Sequence, residues 1–112
     1  VSETSSRKRP YACAWCGREM VDSETGRRRK YCKRSCRQRA YEQRTLVEGT
    51  SIPPDALILS VDEAGALGDR LFELRCAAQD LQTALAENAD PETLRAMTDD
   101  LVRLAEESER LR

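Results

Sequence analysis

Four cysteines, at Cys13, Cys16, Cys32 and Cys36, set the limits on what the first third of this 112-residue chain can fold into. Two close pairs separated by fifteen residues can converge on one tetrahedral Zn²⁺ as thiolates at about 2.3 Å. So short a segment cannot bury enough apolar surface to fold unaided, and a metal cross-link takes the place of the core. Four thiolates also close the site, leaving no coordination position for a catalytic water. The chain contains no His, which removes the usual general base. It also lacks a serine-nucleophile motif and a phosphate-cradling glycine loop. The expectation is a binding module with one structural Zn²⁺, not an enzyme, and no small-molecule substrate.

Two alternatives stand beside zinc: free or partly oxidised thiols, and the disulfide framework of a secreted protein. The second fits poorly with the polar start of the chain, which has no hydrophobic signal region, and with the lone Cys76. No apolar run reaches the roughly 18–20 residues needed to span a membrane. A reducing cytoplasm, in which close cysteine pairs favour metal over disulfide, is the expected compartment, with nucleoid association if DNA is the target.

The formal net charge of −1 conceals an asymmetry. Residues 1–50 carry thirteen Lys/Arg against six Asp/Glu, and residues 51–112 carry six against fourteen. A basic half joined to an acidic half implies two units with different partners. The divisions expected are a disordered basic arm over 1–10, a four-cysteine finger over 11–48, a linker over 49–59 and an acidic helical hairpin over 60–112.

Within the finger, Cys13-x₂-Cys16-Gly17 reads as a zinc knuckle, with Gly17 supplying permissive backbone after the second ligand. Residues 18–21 and 29–32 are short extended candidates flanking a turn at 22–26. A helix is expected from Cys36 to about Glu48, with Ser35 in the N-cap region and Gly49 ending it. Knuckle, hairpin and a helix bearing the last ligand describe a small α+β treble clef. The run Tyr31-Cys32-Lys33-Arg34-Ser35-Cys36-Arg37, together with the knuckle, resembles the FCS, MYM and TRASH-type fingers and the small YacG-type zinc proteins that bind DNA gyrase. The resemblance covers residues 13–37 and implies zinc and the treble-clef fold. It leaves the target open, because such fingers serve DNA, RNA and protein partners alike. The run from Arg37 to Arg44 also resembles that of small bacterial zinc-finger proteins.

At about 100° per residue, Cys36, Ala40, Gln43 and Val47 share one helix face turned toward the zinc. Lys33, Arg34, Arg37, Tyr41 and Arg44 fall in a contiguous sector beside it. Arg27, Arg28, Arg29 and Lys30 on the hairpin, and Arg7 to Arg9 on the arm, extend this basic surface. Such a surface suits nucleic-acid phosphates, DNA more readily than RNA, with Tyr41 able to stack. The competing readings are a solubilising face that complements the acidic half, and a surface for an acidic protein partner. Trp15 is expected to cover the metal site and the helix rather than to anchor a partner.

The linker carries Pro53 and Pro54 among Ile52, Leu57, Ile58 and Leu59, so part of it is expected to pack on the next unit. Ser60 and Glu63 form a capping box. Ala64, Leu67, Leu71, Leu74, Ala78, Leu81, Leu85 and Asn88 then repeat with steps of three and four. Asp90-Pro91 marks a second start, followed by Leu94, Met97, Leu101, Leu104, Ser108 and Leu111. Two such helices form a coiled-coil-like antiparallel hairpin with a single seam. Phe72, Cys76 and Val102 lie off it, so residues 60–112 are expected to form a homodimer or to dock against the apolar linker, or else to grip another protein such as a polymerase or ribosomal component. Cys76 reads as a half-buried packing residue rather than a redox thiol.

Overall fold

Among the described residues three helices follow one another, and the first is built around the second cysteine pair. The computed structural model describes residues 7–21 and 26–112. The arm expected over residues 1–10 lies partly outside this range, and most of the turn expected at 22–26 does too. Helix α1 spans Arg34–Val47, α2 spans Val61–Ala86 and α3 spans Pro91–Ser108.

α1 starts two residues earlier than expected. Its N-cap is Lys33, whose side chain makes no capping hydrogen bond, and Ser35 lies inside the first turn. The physical reason is the spacing of the sulfurs. Cys32 and Cys36 bring their sulfurs to 3.7 Å, and closing an i, i+4 pair to that distance requires a helical turn between them. The far end follows expectation: the helix stops at Val47, and Gly49 adopts φ +79°, a left-handed conformation that suits glycine.

The expected hairpin between residues 18–21 and 29–32 does not form a ladder among the described residues. Extended pairing there is limited to an isolated antiparallel bridge between Ala12 and Glu19. The knuckle uses its own backbone groups: the Cys13 N–H donates to the Arg18 carbonyl at 2.9 Å, and the Met20 N–H to the Tyr11 carbonyl at 2.8 Å. The segment at residue 30 joins it through a main-chain bond from the Ala14 N–H to the Lys30 carbonyl at 2.8 Å. The described architecture is therefore helical with a four-cysteine cluster, without strands.

α2 begins with the expected capping box. Ser60 Oγ accepts from the Glu63 N–H at 3.0 Å, and Glu63 Oε1 accepts from the Ser60 N–H at 2.9 Å. It ends at Ala86, short of Asn88. Asn88 has φ 57°, and the pair of bonds from the Asn88 N–H to the Leu85 carbonyl and from the Ala89 N–H to the Ala84 carbonyl is a Schellman motif. Asn88 is thus the terminator of α2 and not a seam residue. Asp90 caps α3 by accepting from the Thr93 N–H, with Pro91 in the first turn.

α2 and α3 pack antiparallel through half-buried Leu67, Leu74, Ala78 and Leu81 against Leu94, Met97, Leu101 and Leu104. Two of the leucines assigned to the seam turn outward: Leu71 is 49% exposed and Leu85 is 56% exposed. Ala64 is also exposed. A straight helix drifts against a seven-residue repeat, and a pair of helices covers too narrow a stripe to follow that drift. Cys76 is half-buried, as expected. No helix among the described residues is long and apolar enough to cross a membrane.

Part of the linker packs, with Ala56 and Leu59 half-buried. Ile52, Leu57 and Ile58 are exposed, and their segment is tethered by main-chain carbonyls instead. Gln43 Nε2 donates to the Ala56 carbonyl at 3.0 Å, and Arg112 Nη1 donates to the Ile58 carbonyl at 2.7 Å. The molecule is correspondingly extended, with a radius of gyration of 18.6 Å against the ~13 Å of a compact chain this long.

Candidate metal centre

The finger's small core is the cysteine cluster itself. Cys13, Cys16, Cys36 and Met20 are buried, with Tyr11, Trp15, Tyr31 and Cys32 packed around them. The four Sγ atoms lie within 4.8 Å of one another. Cys16 Sγ is 3.6 Å from Cys32 Sγ, and Cys32 Sγ is 3.7 Å from Cys36 Sγ. Four sulfurs on a tetrahedral ion at about 2.3 Å lie about 3.8 Å apart along each edge. A disulfide needs about 2.05 Å. All five cysteines are free, and the cluster fits a single four-thiolate metal ion, with zinc the natural occupant of an all-sulfur tetrahedral site.

Electrostatics divide the ligands. Burial opposes ionisation of Cys13, but backbone hydrogen bonds from Cys16, Cys32 and Trp15 outweigh it and lower its pKa to about 6. Cys36 goes the other way: burial, then its bond with Cys32 and the charges of Cys13 and Cys16, push it up to about 12. Burial, followed by hydrogen bonding to Cys16, also raises Cys32. In the metal-free cluster Cys13 is thus a ready thiolate at neutral pH, while Cys32 and Cys36 hold protons that a bound cation must displace.

α1 buries the face read from its periodicity, and Cys36 on that face joins the cluster. Cys36, Ala40 and Val47 are buried, and Gln43 is half-buried. Lys33, Arg34, Arg37, Tyr41 and Arg44 are exposed beside that face. A concavity of about 660 Å³ gathers Arg27, Arg28, Arg29, Lys30, Lys33, Arg34 and Arg37. Tyr41 and Arg44 lie outside it, at a second groove with Thr50, Ile52 and Pro54. Arg44 Nη1 donates to Tyr31 Oη at 3.3 Å. The Arg28 guanidinium lies over the Tyr11 ring at 4.7 Å, and Lys30 Nζ over Tyr31 at 5.8 Å, so two tyrosines serve as platforms that hold the basic side chains.

Trp15 covers the site, half-buried against the cysteine cluster. Its outer ring face carries the guanidinium of Arg112, which the sequence reading did not single out. The chain after α3 turns back onto the knuckle, where the Leu111 N–H donates to the Cys16 carbonyl at 2.6 Å. Arg18 Nη1 donates to the Arg112 carbonyl at 2.9 Å. Gly17 makes this approach possible: a Cβ there would lie 3.1 Å from Leu111 N and 3.3 Å from the Glu109 carbonyl oxygen. The finger and the hairpin therefore meet at the backbone of the first ligand pair. No family model matches the chain, and no curated protein or solved structure matches it significantly.

Proposed function

We propose that the chain is a zinc-dependent nucleic-acid-binding module of the treble-clef kind, binding DNA more readily than RNA, with the acidic hairpin as its dimerisation or partner unit. The observation that carries this reading is the concavity in which Arg27, Arg28, Arg29, Lys30, Lys33, Arg34 and Arg37 converge beside the cysteine cluster. Seven cations in one groove supply the sequence-independent phosphate attraction that dominates nucleic-acid affinity. The zinc serves as the organiser of that surface, since Cys32 and Cys36 fix the start and rotation of α1. The closed ligand set supports a role without catalysis, and close cysteine pairs holding a metal fit a reducing cytoplasmic setting.

The test is a salt series on duplex and single-stranded DNA and RNA with the zinc-loaded chain. Affinity is expected to fall steeply with salt, and the Arg37→Ala/Arg44→Ala variant to bind more weakly with a log–log slope shallower by about one to two units. Absence of binding at low salt, or a variant indistinguishable from the parent, overturns the reading.

A second reading, a protein-interaction adaptor, is favoured by the exposed apolar side chains of the hairpin. Leu71, Phe72, Leu85 and Val102 are each about half exposed. In the leading reading the same side chains are covered in a homodimer, and sedimentation at micromolar concentration separates the two.

A further inference from the structure

A second concavity, of about 510 Å³, lies between the finger and the hairpin rather than on the outer face of the finger. Its walls bring together Arg18, Lys33, Arg39, Arg70, Arg110 and Arg112 from the knuckle, both sides of α1, α2 and the segment after α3. Two carboxylates, Asp62 and Glu63, share it. Glu63 is already occupied by the Ser60 N–H and, at 3.4 Å, by Arg112 Nη1.

Cys16 and Cys36 also line the cavity, and four thiolates on a divalent ion leave two negative charges for the cations to offset. With the two carboxylates included, six cations still exceed the local negative charge.

The surplus is visible in the bonding. Arg112 and Arg18 are held by carbonyl groups, while the side chains of Lys33, Arg39 and Arg110 have no partner among the described residues. Arg70 Nη2 donates to the Arg110 carbonyl at 2.9 Å, but Arg70 Nε is buried with no acceptor. Burial, then the charges of Arg110 and Arg18, lower the pKa of Arg70 from its ordinary value. A buried donor left without an acceptor costs roughly 1–3 kcal/mol, and more when charged, so such groups are ordinarily satisfied by protein, water or an ion.

We infer that this crevice is an oxyanion site that takes a phosphate group, held by Arg39, Arg70 and Arg110 with Lys33 and Arg18 at its rim. Guanidinium forks match the oxygen geometry of phosphate and are the side chains best suited to it. Lys33 lines both this cleft and the outer groove, and an occupant of the cleft bridges finger and hairpin and neutralises cations that otherwise repel one another across their junction. The phosphate group comes either from a small phosphorylated solute or from the backbone of a bound nucleic acid.

The experiment titrates the zinc-loaded full chain with inorganic phosphate in low-salt chloride buffer by calorimetry. Saturable binding at one site per chain is expected, weakened about tenfold or more in Arg39→Gln/Arg110→Gln and unchanged in Arg37→Ala/Arg44→Ala. The two substituted residues make no side-chain bond among the described residues, so that variant is expected to keep its fold, and circular dichroism checks it. No saturable binding overturns the inference, as does an equal loss in both variants. A second arm adds a duplex oligonucleotide. Competition between duplex and phosphate for the crevice assigns the group to the nucleic-acid backbone, and independent binding assigns it to a small solute. Either result rests on a site already established by phosphate alone, which stands or falls separately from nucleic-acid binding by the outer groove.

Discussion

The guanidinium of Arg112 lies 3.5 Å from the centroid of the Trp15 ring, and its Nε donates to the Trp15 carbonyl at 2.9 Å, across 97 positions of sequence. The same side chain reaches the Ile58 carbonyl and Glu63 Oε1. One buried cation thus ties the zinc knuckle, the linker and the start of α2 into a single junction. Charge-assisted bonds to carbonyls and stacking on indole both strengthen when water is excluded, and this side chain is 7% exposed.

Arg112→Ala is therefore expected to destabilise the docked arrangement by about 2–3 kcal/mol, through loss of the stacked cation and of its charged hydrogen bonds. Trp15 is the sole tryptophan, so its fluorescence reports the junction directly. A red-shifted emission with helicity retained is the expected result; an unchanged spectrum and unfolding midpoint contradict the role given to Arg112.

Gly17→Ala should loosen the same junction from the other side. Gly17 holds φ +80°, which costs an L-residue roughly 1–2 kcal/mol, and the added Cβ meets main-chain atoms at residues 109 and 111. A thermal midpoint lowered by several degrees, with zinc still bound, is the expected outcome. Loss of zinc without loss of the docked tail would instead place the strain within the knuckle.

Zinc stoichiometry should be one per chain, and Cys36→Ser should abolish it together with the helicity of α1. Structural zinc supplies folding free energy outright in fingers of this size. Strong chelator is expected to unfold the finger while α2 and α3 keep most of their helical signal, because their caps are local. A chain that keeps all its helicity without metal counts against the architecture.

Zinc affinity should rise with pH. Cys36, at about 12, and Cys32, raised above its ordinary value, are protonated near neutrality and must lose their protons to the metal. Cys13, at about 6, is already a thiolate at neutral pH and resists metal only below that point. Lowering pH from 8 to 7 is expected to weaken binding by at least about two orders of magnitude, one for each of the protons held on Cys32 and Cys36, with a steeper fall below pH 6. Competition against a metal-sensitive dye across that range measures the slope. A flat profile excludes the proton inventory described.

Ser60→Ala removes one half of the capping box at the start of α2 and should cost about 1 kcal/mol. Chemical denaturation with an unchanged slope and a lowered midpoint is the expected signature.

Local rules made several parts of this molecule legible in the sequence. Ser60, Glu63, Asp90 and Pro91 act within one helical turn of themselves, and the structure places each as its chemistry requires. The cysteine spacing located the cluster, and the periodicity of Cys36, Ala40, Gln43 and Val47 located the inner face of α1. The start of α1 was misplaced because a preference for Ser at the N-cap is worth about 1 kcal/mol, far less than closing a four-sulfur cluster. Asn88 was misread because spacing alone does not separate the last turn of a helix from its left-handed terminator.

By itself the sequence determined the four-cysteine cluster, the helical hairpin and its caps, because each depends on residues close together along the chain. The tertiary structure decided where the two halves meet. The return of Leu111 and Arg112 to Cys16 and Trp15, the room left by Gly17, and the inner crevice of Arg39, Arg70 and Arg110 all join residues tens of positions apart. No periodicity records such meetings, since they follow from how a finger without an apolar core and a hairpin with one open face satisfy their remaining backbone and charged groups on each other.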